Sequence, residues 1–115
     1  MLESEIAFCS TKIFNSEVNI FKFLEENAYE KDRLFSNLRK NLFVLIGEYI
    51  SYHKKHVFEY LPQIKEKTLK LFKKDISNFV KPCCLGVLCE ILKNFPPEKI
   101  KDFMDPESLI DTLLD

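Results

Sequence analysis

Glycine is scarce. The chain has only Gly47 and Gly86 in 115 residues, and that excludes a glycine-rich phosphate loop. No segment alternates polar and apolar residues for long, so half-buried strands are not expected. Together these absences predict an all-helical chain with short connections. Long apolar runs are missing too. The best, Leu42 to Ile46, is five residues, against the roughly 20 that a membrane helix needs. The opening Met1-Leu2-Glu3-Ser4-Glu5 is acidic and lacks the basic region and small-residue cleavage site of a signal peptide. The expectation is an intracellular protein, cytoplasmic or nuclear, with no membrane partner.

The reactive residue types are equally unorganised. Of the four cysteines, Cys83 and Cys84 are adjacent, Cys89 follows on the same expected helix and Cys9 is remote. That is neither a disulfide framework nor a CxxC pair. Cys83, Cys84 and Cys89 are expected to be core thiols, inert because burial disfavours the thiolate. His53 and His56 could share a metal at i, i+3, but no further ligand stands at suitable spacing and Lys54 and Lys55 would repel a cation, so a polar helix end is expected. Ser, His and acidic residues follow no catalytic order. Neither an enzyme activity nor a catalytic residue, metal or cofactor is expected.

What the chain does have is apolar periodicity. Apolar residues make up 46% of the sequence, eleven of them Phe, against 30% charged, a globular balance in a length that suits one domain. The spacing predicts helices over about 3–14 and 18–30, with Asn15-Ser16 as a cap between them. A third begins after Asp32 and carries Leu34, Leu38, Leu42, Leu45, Tyr49 and Tyr52 at steps of three and four. After a polar break at 53–56, Val57, Leu61, Ile64, Leu71 and Phe72 make a fourth helix with Pro62 inside it. A fifth carries Val80, Cys84, Val87, Leu88 and Ile91, with Pro82 implying a late start or a kink. Two short pieces follow the Phe95-Pro96-Pro97 stop, the second opened by Asp105-Pro106.

Charge is segregated. Residues 1–30 hold two Lys against six Glu (−4), residues 31–81 twelve Lys and Arg against five acids (+7), and residues 82–115 three Lys against seven acids (−4). Solvated helix faces explain this unless the lysines share one face.

Residues 38–52 and 80–94 read as two versions of one helix, 42 positions apart. Leu38-Arg39, Leu42, Leu45-Ile46, Glu48 and Tyr49 fall opposite Val80-Lys81, Cys84, Val87-Leu88, Glu90 and Ile91. A period of roughly 40 residues is the spacing of stacked helix-pair solenoids. Residues 57–92 resemble a HEAT or armadillo-type repeat. The residues that carry the resemblance are Leu61-Pro62 in the first helix, Leu69, Leu71 and Phe72 at its end, Asp75 in the turn, and Val80-Lys81 opening the second helix.

The resemblance implies a right-handed α-solenoid fragment of about two and a half helix-pair repeats: an N-terminal helix over 3–15, repeat one over 16–52, repeat two over 56–95, and a half repeat or cap over 97–115. A closed helical bundle is the alternative. It also implies a structural ladder of Asp75 and Lys81 between units, and a non-enzymatic protein-interaction or scaffold role. If Leu38, Leu42, Leu45 and Tyr49 are buried, the outward positions for another protein are Lys40, Asn41, Val44, Glu48 and Tyr52, with Cys83, Gly86, Glu90 and Asn94 in the second unit. So short a stack should also leave apolar ends, near Phe8 and Leu114, for a partner or self-association. Nucleic-acid binding through Lys65, Lys67, Lys70, Lys73 and Lys74 is the alternative function, weakened by near-neutral net charge and only two Arg.

Overall fold

All five prolines stand where a helix opens. There the missing N–H has no helical acceptor to lose and the fixed φ is already helical. The computed structural model describes residues 3–15 and 19–114, and in these it is all-helical. Eight α-helices follow in order: α1 Glu3–Asn15, α2 Ile20–Glu26, α3 Arg33–Tyr52, α4 Lys54–Val57, α5 Leu61–Lys74, α6 Lys81–Asn94, α7 Pro97–Ile100 and α8 Pro106–Leu114. A 3-10 turn over 58–60 precedes α5, so Pro62 falls in an opening turn rather than inside a kinked helix. The cap residue Ser16, and Val18 beyond it, lie outside the described residues.

Short polar side chains start α2, α3 and α8. Asn19 accepts from the Lys22 N–H (3.0 Å) and Asp32 from the Leu34 N–H (2.8 Å), each satisfying a donor the helix cannot. Asp105 does the same for Ser108 at 3.2 Å. None of the described helices is long and apolar enough to cross a membrane.

Helix α3 packs along α6, α6 folds back on α5, α5 meets α2, and α1 rests on α2 and α4. The result measures 37 × 34 × 21 Å. Helices α3 and α6 run in the same direction. Arg39, in the second turn of α3, reaches Asp75 just ahead of α6, and further along Gly47 lies against Glu90. Two more links join α5 and the turn after it to α2 and the turn after that. The Ile76 N–H donates to the Ala28 carbonyl at 3.1 Å, tying the turn after α5 to the turn after α2, and Lys67 on α5 pairs with Glu25 on α2 at 3.1 Å. The core runs from Phe14, Phe21 and Leu24 through Phe43, Ile46 and Ile50 to Ile64, Leu71, Cys84, Leu88 and Ile91, closed by Ile100, Met104 and Leu109.

The facing of α3 differs from the periodic expectation. Leu38 and Leu45 are 42% and 51% exposed and Leu42 and Tyr49 only half-buried, while Arg39, Phe43, Ile46, Gly47 and Ile50 are buried. This set matches the buried Val80, Cys84, Val87, Leu88 and Ile91 at an offset of 41 residues, not 42. One residue of slip turns a helix by about 100°, and that moved the leucine seam from core to flank. The flank is open because α1 covers only its far end, where the Tyr49 hydroxyl lies 2.6 Å from that of Ser10 and donates to the Ile6 carbonyl.

Candidate partner-binding groove

Two glycines shape the groove between α3 and α6. Gly47 is buried, and a Cβ there would meet the Glu90 side chain at 3.5 Å, ordinary contact across the helix pair. Gly86 is exposed, and a Cβ there would meet nothing within 4 Å. Between them lies an open hollow of about 440 Å³ with Val44, Glu48 and Tyr52 on the α3 wall and Cys83, Gly86 and Glu90 on the α6 wall. Val44 and Tyr52 are 44% and 78% exposed. The outward residues named from sequence are therefore largely brought together here.

Three are not. Lys40 lines a second hollow, of about 710 Å³, around the start of α3. Asn41 is exposed but lines neither. Asn94 donates to the Glu90 carboxylate (2.7 Å) and backbone carbonyl (2.8 Å), fixing the Glu90 side chain rather than facing the hollow. The expected Asp75–Lys81 ladder is also corrected. The cation on Asp75 is Arg39, whose Nε and Nη2 donate to the two carboxylate oxygens at 2.7 and 3.0 Å, both side chains buried. The same carboxylate accepts from the Ser77 N–H at 2.9 Å, so it caps the turn while holding α3 against it.

The cysteines separate by exposure. Cys84 is buried, Cys83 half-buried and Cys89 exposed, so Cys89 is not the core thiol expected of it. Burial, followed by the negative charge of Asp75 and the neighbouring Cys83, pushes the Cys84 thiol from its ordinary 9.0 to about 12. The neutral thiol is thus the form that folds. Its contribution is complete below pH 9 and is lost as the unfolded chain ionises first, between about 9 and 12. Two results follow. Cys84 should resist thiol reagents in the native protein at neutral pH while Cys89 labels at once, as mass spectrometry of timed alkylation would read. Wild-type stability should fall above pH 9 more steeply than that of Cys84→Ala, measured by urea denaturation across pH.

Other charged groups are engaged locally. Lys55 donates to Glu3 at 3.1 Å, which with its positive charge holds the Glu3 carboxyl below its ordinary range. The basic middle is divided. Lys67, Lys70 and Lys74 share the α5 face toward α2, where the first two turn to Glu25 and Lys74 lies 5.5 Å over the Tyr29 ring, while Lys65 lines a separate hollow with Glu66 and Asp102. His53 packs against Tyr49, ring centroids 4.8 Å apart. Among the described residues no three His, Cys, Asp or Glu side chains gather as metal ligands.

No protein-family model, curated protein or solved structure matches the chain. What the molecule can do must therefore be read from its own surface.

Sequence reasoning missed Phe79, 75% exposed beside the larger hollow, and the pairing of Arg39 with Asp75. Arg39 and Asp75 stand 36 positions apart with no local pattern linking them, so the sequence carries no signal for the pair.

Gly86 gives a clean handle. Gly86→Ala should raise stability by about 0.5–1 kcal/mol, since a helical glycine lacks a side chain and has more freedom to lose. A fall in thermal midpoint would place that residue against a neighbour.

Proposed function

We propose that this chain is a non-enzymatic protein-interaction module, a HEAT or armadillo-type stack of about two and a half helix pairs, whose partner lies in the α3–α6 groove. The observation that carries this reading is the groove itself: a hollow with apolar and acidic walls between two helices that run in the same direction, the second helices of successive units. In a stacked solenoid such helices line one face and form an extended binding surface. Three links support stacking of equivalent units: Arg39 to Asp75, Glu25 to Lys67, and the Ile76 N–H to the Ala28 carbonyl.

The test is affinity capture with wild type, Gly86→Leu and Tyr52→Ala. Gly86→Leu projects a side chain into the hollow without touching the core, so it should keep the wild-type thermal midpoint or exceed it and still lose the captured protein. Capture unchanged in Gly86→Leu would contradict the reading.

A second reading, self-association, is favoured by the leucine flank, where Leu34, Leu38 and Leu45 are 72%, 42% and 51% exposed. Light scattering over a wide concentration range, compared with Leu38→Glu, separates the two readings.

A further inference from the structure

The two hollows succeed one another along the same face of α3, sharing no lining residue, and together give a track. Arg33, Lys40, Val44, Glu48 and Tyr52 follow one another at steps of four or seven residues, so they share a face. The opposite wall advances in step, from Ser77–Phe79 to Cys83, Gly86 and Glu90. From the first turn of α3 to its last, the track is about 28 Å long at 1.5 Å per residue.

Charge along the track changes sign. Lys31, Arg33 and Lys40 line its first part with Glu30 as the lone acid, and Glu30 is engaged by the Asp32 N–H at 3.1 Å. None of the three cations forms an ion pair among the described residues. Glu48 and Glu90 line the last part, where no cation stands. Between them the walls are apolar or bare, with Phe79 and Val44 exposed and open space over Gly86.

We infer that the occupant is a single segment of a partner protein, acidic over Lys31, Arg33 and Lys40, apolar over Val44 and Gly86, and basic over Glu48 and Glu90. A uniformly anionic nucleic acid would be repelled at one end and a wholly basic peptide at the other. Only a segment of both signs in this order matches the whole track. About nine extended residues would span it at roughly 3.3 Å each. The inference rests on the groove being the binding face.

The test is selection from a displayed library of random 20-residue peptides on the intact protein, followed by titration of the enriched peptides. Enriched sequences should carry Asp or Glu at one end, Lys or Arg at the other, and large apolar residues between. R33E/K40E should weaken them about tenfold, E48K likewise, since like charges across an interface repel. Each reversal should shift selection only at its own end. Gly86→Leu should abolish binding, with thermal melts showing that every variant is folded. Peptides lost in Gly86→Leu but showing no ordered charge would overturn the inference and leave the groove as the binding face. Failure to enrich any peptide, or enrichment indifferent to Gly86→Leu, would overturn both.

Discussion

Arg39→Met should destabilise the protein by about 3–5 kcal/mol, because it strands the Asp75 carboxylate in the interior. Both side chains are essentially inaccessible, and two short hydrogen bonds join them. Asp75→Leu should cost a similar amount by stranding the guanidinium, whose Nη1 already lacks a partner. The double variant is the informative one. With both charges gone the desolvation cost disappears. What remains lost is chiefly the bond from Ser77 N–H to Asp75, about 1 kcal/mol for an ordinary hydrogen bond. The double should therefore be more stable than either single, a strong coupling in the mutant cycle. Urea denaturation of the four proteins gives the answer, and singles costing under about 1 kcal/mol would mean the pair is hydrated rather than buried.

Phe43→Ala is the second large effect, about 3–5 kcal/mol for a fully buried aromatic side chain. Leu45→Ala, two positions along the same helix, should cost under about 1 kcal/mol because half of that side chain is in water. The apolar spacing alone assigns these costs in the opposite order. Equal losses at the two positions would reject the rotation of α3 described above. Against a total of about 5–15 kcal/mol for a domain of this kind, the Phe43 loss alone would be conspicuous.

The contrast between Phe43 and Leu45 shows where the sequence is legible. Helix positions were largely readable because prolines, caps and apolar spacing are local signals: Pro82 gives α6 the late start its position implies, Pro106 opens α8 and Asp105 caps it as expected, whereas Pro62, read as lying inside its helix, opens it. Facing was not readable for α3, since Phe43, Val44, Leu45 and Ile46 make it apolar nearly all round and the seam depends on neighbours. Arg39 is the extreme case, a charged residue that belongs inside only because Asp75, 36 positions away, comes to meet it. The outward residues fared better. Val44, Glu48, Tyr52, Cys83 and Glu90 do line one hollow, because a one-residue error in facing still leaves much of a broad polar face exposed. What could not be read was the second wall at 77–79 and the change of charge along the track, both of which depend on a turn packing beside α3.

The groove between α3 and α6 is the centre of this account, and amide chemical-shift mapping tests it most directly. With the isotope-labelled protein and a peptide selected on it, shifts should concentrate at residues 44, 47, 48, 52, 83, 86 and 90. They should extend to 33 and 40 at the basic end and leave α8 unchanged. Shifts gathered instead on Leu38, Leu42 and Leu45, the leucine flank of α3, would contradict the groove as the binding face.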